Sequence, residues 1–240
     1  MNKNLHVVIA AAGKGSRSGL KYPKTLYKVG GKAIIHRIVD ELAGLCEYPS
    51  IIVSPEGKKS IGSYIKKNNL QANLIVQEKA RGMGDAILTF GDSKESQHTK
   101  DILLIWGDIP YINTETVSTT LETHFKNENT FTFPSRMVDK AYTIVDRNSY
   151  GQVIKVIETR EEGLEASPGE RDIGLFIFKK DIIIKLLREN YKDKFGKETG
   201  EHGFLYIIKY LAKLNFKVEA LPIARAEELK SLNRLSDLQP

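Results

Sequence analysis

The chain has 240 residues, 41% of them hydrophobic and 28% charged, which suits one large α/β domain with a core of its own. Its net charge of +6 rests largely on dispersed lysines such as Lys58, Lys59, Lys66 and Lys67, a solvated face without the aromatic-and-basic signature of nucleic-acid binding. The single cysteine, Cys46, excludes an intrachain disulfide framework and points to a reducing, cytoplasmic setting.

Residues 5–10 form a short branched apolar run that ends at glycines, the mark of a buried parallel strand. The run is too short for a membrane span and lacks the flanks of a secretory signal. Similar runs follow at 50–54, 73–77 and 102–106, with helical patterns between them. In the first helix Ile34, Ile35, Ile38, Leu42 and Leu45 fall on one stripe; others cover about 58–68 and 84–90. This alternation predicts a parallel, doubly wound sheet flanked by helices.

The pattern changes near residue 129. Residues 131–134, 142–145, 152–157 and 173–178 read as strands with few helices between them, and the acidic, Gly- and Pro-containing stretch 161–170 reads as a surface loop. Helices at 180–188 and 203–214 and a strand at 217–221 complete the chain. One domain over 1–240 is expected, with a first half to about 128 and a second from about 129.

The string A-A-A-G-K-G-S-R at 10–17 leaves the first strand at its C-terminal end, where open α/β sheets bind ligands. Small residues let the backbone approach a flat base or a phosphate, and free N–H groups make an anion cradle. Gly15, not Ser or Thr, follows Lys14, so this is no P-loop; Ser18 stands at the third glycine position of a dinucleotide fingerprint. An ordinary tight turn uses the same residues. Pro23 and Lys24 then follow Arg17 at six and seven residues, in Y-P-K-T-L-Y-K-V-G-G-K.

A-A-G-K-G-S-R followed by P-K-T-L resembles the signature of the sugar-phosphate nucleotidyltransferases, above all the uridylyltransferase domain of the bacterial N-acetylglucosamine-1-phosphate enzymes. The resemblance implies a Rossmann-like, GT-A-like fold with a mostly parallel mixed sheet, a nucleotide-binding first half and an acceptor-binding second half. It also implies that Ala11, Ala12, Gly13, Lys14, Gly15 and Ser16 wrap the nucleoside and triphosphate, and that Arg17 and Lys24 bind the phosphates during transfer. The physics agrees: transfer spreads negative charge over phosphate oxygens, which fixed cations stabilise. Arg17 can fork onto the departing pyrophosphate, and Lys24 supplies a compact charge nearer the α-phosphate. The attacking phosphate oxygen is already ionised at neutral pH, so no general base is needed. The five histidines, at 6, 36, 98, 124 and 202, show no metal-ligand spacing.

The same resemblance places a uracil-reading glutamine at Gln77 and a backbone contact at Gly82, in V-Q-E-K-A-R-G-M-G-D-A-I. The carboxamide offers a donor and acceptors, and its amide can turn to present either end. Met83 replaces the threonine common in relatives. In L-L-I-W-G-D-I-P the resemblance makes Asp108 a magnesium ligand, and Asn233, in L-N-R-L-S-D-L, the second protein ligand. A helix N-cap is the structural alternative for Asn233. In Y-G-Q-V-I-K-V-I-E, Gly151 and Glu158 become candidate acceptor contacts, and Asp172 occupies the place of the family's asparagine.

Taken together the resemblance implies transfer of a nucleoside monophosphate from an NTP, expected to be UTP, to a sugar 1-phosphate, with Mg2+ as cofactor and release of pyrophosphate. A cytidylyltransferase for a phosphorylated alcohol, choline or alditol is the near alternative, and a non-catalytic nucleotide-binding subunit the distant one. The partners expected are the NTP and a small phosphorylated acceptor, with no nucleic acid and no membrane; homo-oligomerisation is left open.

Overall fold

The computed structural model describes residues 4–13, 18–232 and 235–238. The first half follows the order β1 (Leu5–Ala11), a small hairpin of β2 (Lys28–Val29) and β3 (Lys32–Ala33), α1 (Ile34–Glu41), β4 (Ser50–Val53), α2 (Pro55–Lys67), β5 (Asn73–Val76), α3 (Met83–Gly91), β6 (Asp101–Trp106) and α4 (Thr114–Lys126). The second half adds β7 (Phe131–Ala141), β8 (Thr143–Arg147), β9 (Val153–Glu158), β10 (Ser167–Asp172), β11 (Leu175–Lys179), α5 (Lys180–Arg188), α6 (Ile207–Lys213) and β12 (Val218–Leu221).

The main sheet has eight strands in the order β10-β7-β11-β6-β1-β4-β5, with β12 also beside β7. β6, β1, β4 and β5 are mutually parallel, in the register Val8↔Leu104, Val8↔Ser50 and Ile51↔Leu74. β11 enters antiparallel to β6, with Leu175↔Ile105, and carries the sheet into the second half. There the 11-residue β7 changes company along its length. β12 runs parallel to its start (Val218↔Phe131), and β10 runs antiparallel to its later residues (Asp172↔Ser135). β8 and β9 form a separate ribbon, Thr143↔Glu158, which packs on β10 and α6.

Alternate strand residues point to opposite faces, and the core divides accordingly. Val7, Ile9, Ile51, Val53, Leu103 and Ile105 meet α1, α2 and α4 on one face. Val8, Ile52, Ile102 and Leu104 meet α3, α5 and α6 on the other, together with Phe131, Phe133, Phe176, Phe178 and Phe204. Local signals start the helices. Ser54 Oγ accepts the Gly57 N–H at the head of α2, Pro55 opens its first turn, and Lys66 and Lys67 close its last.

Two elements depart from the sequence expectation in kind, while β7 extends the expected 131–134 to 11 residues. α4 is a full helix where no helical pattern stood out, because Thr114, Thr116, Val117, Thr119, Thr120 and Thr123 are β-branched and disfavour helix locally. Tertiary burial of Thr116, Val117, Thr120, Leu121 and His124, with the Asn113 cap, overrides that preference. The second is β10: residues 167–172, partly assigned to a surface loop, form a strand against β7. Pro168 and Gly169 mask it in sequence, and a strand on one edge of the sheet tolerates both. Among the described residues no helix is long and apolar enough to cross a membrane.

Candidate active site

The carboxyl ends of β1, β5 and β6 open on one edge of the sheet, the place where the topology leaves room for a ligand. β6 ends at Trp106 and continues through Gly107 to Asp108. The Gly107 N–H donates to the Ala10 carbonyl at 2.9 Å. A Cβ at Gly107 would stand 2.8 Å from that oxygen, so the close crossing of the two strand ends requires glycine.

Lys24 begins a single 3-10 turn, Lys24–Leu26, and its Nζ donates to Asp108 Oδ2. Asp108 is only 8% exposed, and its Oδ1 is buried with no hydrogen-bond partner among the described residues. A carboxylate oxygen left without a donor in a buried position is costly for folding alone. The Asp108 carbonyl also accepts the Leu232 N–H at 2.9 Å, which fixes the late segment beside the end of β6.

Gln77 follows β5 and is 3% exposed. Its Nε2 donates to the Gly82 carbonyl at 3.1 Å and to Asp85 Oδ2 at 2.9 Å. The amide that sequence reasoning left free to turn is therefore held. Gly82 caps α3 with φ 104°, and a Cβ there or at Gly84 would run into the backbone of residues 202 and 203. The Gly84 N–H donates to the His202 carbonyl at 3.0 Å, and the His202 N–H donates to the Arg81 carbonyl at 2.6 Å. Backbone of the second half is thus laid directly on the first turn of α3.

Asp108 and Glu158 line one cleft of about 1600 Å³, together with Met83, Trp106, His202 and Tyr206. Burial, reinforced by Asp172 and Glu161, pushes the Glu158 carboxyl up to about 7. Asp172 is 1% exposed and lies inside the wall: Oδ2 accepts the Thr143 hydroxyl at 2.6 Å and Oδ1 the Gly174 N–H at 2.8 Å. Burial raises its pKa, against the pull of the Thr143 hydrogen bond. Gly151 sits at the exposed tip of the β8–β9 ribbon with φ 79°, and its carbonyl accepts from Arg147. Burial, with Lys194 nearby, pushes His202 down to about 4, so its ring is neutral at physiological pH.

Of the residues anticipated from sequence, the structure brings Lys24 to Asp108, Gln77 to Gly82, and Asp108 and Glu158 to one cleft. Ala11 and Ala12 stand at the end of β1, followed by Gly13. Lys14, Gly15, Ser16, Arg17 and Asn233 lie outside the described residues. Sequence reasoning missed Asp85 and Trp106. The chain's one tryptophan, two residues before Asp108, is a visible signal; Asp85 offers none apart from its place in the first turn of α3.

A doubly wound half-sheet with its polar groups gathered at the carboxyl edge is a Rossmann-like plan, which leaves a ligand site at that edge. The chain belongs to the MobA-like NTP transferase domain family, whose sequence profile matches residues 7–167. Over 162 residues it is 32% identical to the bifunctional protein GlmU of Buchnera aphidicola subsp. Schizaphis graminum, covering 67% of this chain and 34% of that protein. Over 233 residues it is 28% identical to GlmU of Lactobacillus johnsonii, covering 96% of this chain and 49% of the relative. The chain therefore spans half or less of the length of these curated relatives. A Bacillus anthracis crystal structure described as a glucose-1-phosphate thymidylyltransferase shares the fold, with TM-score 0.70 at 16% identity over 90% of this chain and 85% of that one.

Proposed function

We propose that this domain transfers a nucleoside monophosphate from UTP to a sugar 1-phosphate and releases pyrophosphate. The observation that carries the reading is the Lys24–Asp108 pair at the mouth of β6, with Asp108 Oδ1 buried and lacking a donor among the described residues. The Bacillus anthracis structure that shares the fold, described as a glucose-1-phosphate thymidylyltransferase, supports a sugar-phosphate acceptor.

An acceptor phosphate oxygen attacks the α-phosphorus of the NTP, the bond from that phosphorus to the β-phosphate bridge breaks, and pyrophosphate leaves with the electron pair. No proton needs to be removed from the nucleophile. Lys24 holds positive charge where the phosphoryl oxygens gather it, and Arg17 is proposed on the leaving pyrophosphate. Residues 11–13 supply small side chains against which a base can lie.

The donor set of Asp108 fits magnesium. Its free, buried oxygen is the kind of acceptor that a hard cation takes, and the Leu232 bond brings in the segment that continues to Asn233. When bound, magnesium would neutralise phosphate charge and help to orient the triphosphate. Asp108 and Asn233 are the proposed protein ligands, and Lys24 would keep the Asp108 carboxylate aimed by its hydrogen bond to the other oxygen.

The acceptor half is proposed to begin near residue 129, with Glu158 as its contact in the cleft, Asp172 buttressing it through Thr143, and Gly151 at the ribbon tip. A second acceptor class has one observation in its favour: Glu158 has no ion pair among the described residues and lies near Asp172 and Glu161. Such a carboxylate suits the hydroxyls or the amine of a phosphorylated alcohol. A screen of sugar 1-phosphates and phosphorylated alcohols against UTP, CTP, dTTP, ATP and GTP, read by pyrophosphate release, tests both. Release with UTP and a sugar 1-phosphate supports the reading; release only with CTP and a phosphorylated alcohol replaces it.

A further inference from the structure

The Gln77 carboxamide is a reader with one end already occupied. Both hydrogens of Nε2 are engaged, one by the Gly82 carbonyl and one by Asp85 Oδ2. Turning the amide over would set Oε1 against a carbonyl oxygen and a carboxylate oxygen, two acceptor–acceptor contacts in place of two hydrogen bonds. Among the described residues no donor reaches Oε1. What the side chain can offer a ligand is therefore an acceptor alone.

Gly82 contributes its half of this lock through its main-chain carbonyl, on backbone at φ 104° that only glycine fits. Asp85 contributes the other half through its side chain, from the first turn of α3. An acidic residue there also favours the positive end of the helix, a role indifferent to which nucleotide binds. The lock on Gln77 is not indifferent. Uracil and thymine carry a hydrogen on N3, whereas cytosine carries a bare nitrogen that repels an acceptor.

We propose that Asp85 is a specificity-determining positioning residue: by fixing the Gln77 amide with Oε1 outward, it makes the base site take a pyrimidine with an N3–H and refuse cytosine. This rests on the nucleotidyltransferase reading and on Gln77 as the base reader, and assigns to Asp85 the discrimination that Gln77 alone lacks. In an Asp85→Asn variant the carboxamide at 85 can accept from Gln77 Nε2 or donate to Gln77 Oε1, so the side of the lock that bars turning is lost and only the Gly82 carbonyl opposes it. The turned glutamine, which presents Nε2 as a donor to the bare N3 of cytosine, then becomes accessible.

The test is titration calorimetry of the full chain with UTP, dTTP and CTP in magnesium, without acceptor, for the native protein and Asp85→Asn. The native protein should bind UTP and dTTP about tenfold or more tighter than CTP, the size expected when one buried group is left facing the wrong partner. Asp85→Asn should collapse that ratio at least fivefold, with CTP binding tightened in absolute terms. A role confined to the helix end would weaken all three ligands together and lower the melting temperature, leaving the ratio unchanged, and that result overturns the proposal. So does a native preference for CTP. Pyrophosphate release from UTP with a sugar 1-phosphate would keep the nucleotidyltransferase reading standing in either case, whereas a native protein that binds no nucleotide overturns both.

Discussion

The two halves of the molecule place their polar groups by different means. In the first, β1, β4, β5 and β6 are parallel, with β5 half-buried at the sheet's edge, and their carboxyl ends share one edge. Whatever residue follows a strand is delivered to the ligand edge by the sheet itself, as Gln77 and Asp108 are. In the second half the ribbon β8–β9 and the segment 194–206 face the cleft from outside the sheet, and side chains tie them together. Glu161 Oε2 accepts the N–H groups of Glu198 and Thr199, and Lys197 pairs with Glu162. The first arrangement fixes position through strand backbone; the second relies in addition on individual carboxylates. Chemistry is accordingly expected to be concentrated in the first half, and selectivity and pH dependence in the second.

Four substitutions break or sharpen this contrast. Asp108→Ala is expected to reduce kcat/KM by about a thousandfold or more, since a lost cation ligand removes several kcal/mol of transition-state stabilisation, while circular dichroism stays native. Full turnover of that variant at limiting magnesium would move the chemistry away from β6. Lys24→Ala should lower kcat by about a hundredfold with a smaller change in NTP binding, because the charge it meets grows during transfer. A rise in KM alone would make it a binding residue.

Glu158→Gln probes the second half. The native carboxyl sits at about 7 against an ordinary value of 4.5, so the folded protein holds a proton there that the unfolded chain releases. Stability from this group is full below 4.5 and is lost as pH rises through about 7, at most about 3 kcal/mol. Chemical denaturation across that window should show the native protein losing stability relative to the glutamine variant as pH rises; parallel curves would place the titration elsewhere. Gly84→Ala is the mildest. Its Cβ meets the Gly203 carbonyl and the His202 ring, and a backbone shift costing about 1–3 kcal/mol should lower the melting temperature. An unchanged melting temperature would show that the two halves meet less tightly at α3 than the hydrogen bonds imply.

The same contrast governs how much could be read from the amino acids alone. Parallel strands announce themselves as unbroken apolar runs, and the expected 50–54, 73–77 and 102–106 coincide with the observed β4, β5 and β6 to within a residue at each end for that reason. The Lys24–Asp108 association rests on a lysine and an aspartate 84 positions apart, and a family resemblance was needed to connect them. Elsewhere local preference and outcome disagree. α4 is rich in threonine and holds its helix by burial, and β10 carries a proline and a glycine that suggested a loop. The Gln77 lock was out of reach, because Asp85 lies on the next element and only the entry angle of α3 brings its carboxylate to the amide.

The backbone-to-backbone seam at Gly82 and Gly84 bears on attempts to retarget the enzyme by transplanting segments. A loop from a relative replacing 194–206 would have to lie on α3 along the same main-chain path. The recipient needs both glycines, and the donor needs a turn that presents the carbonyl and the N–H of residue 202 to that surface. The stretch 159–164 answers to a looser rule. It is joined to its neighbour chiefly through the carboxylates of Glu161 and Glu162, so a graft that brings two acidic residues at that spacing meets the same donors. Of the two borders of the cleft, one is a dovetail cut into the scaffold and the other a clasp that can be refitted.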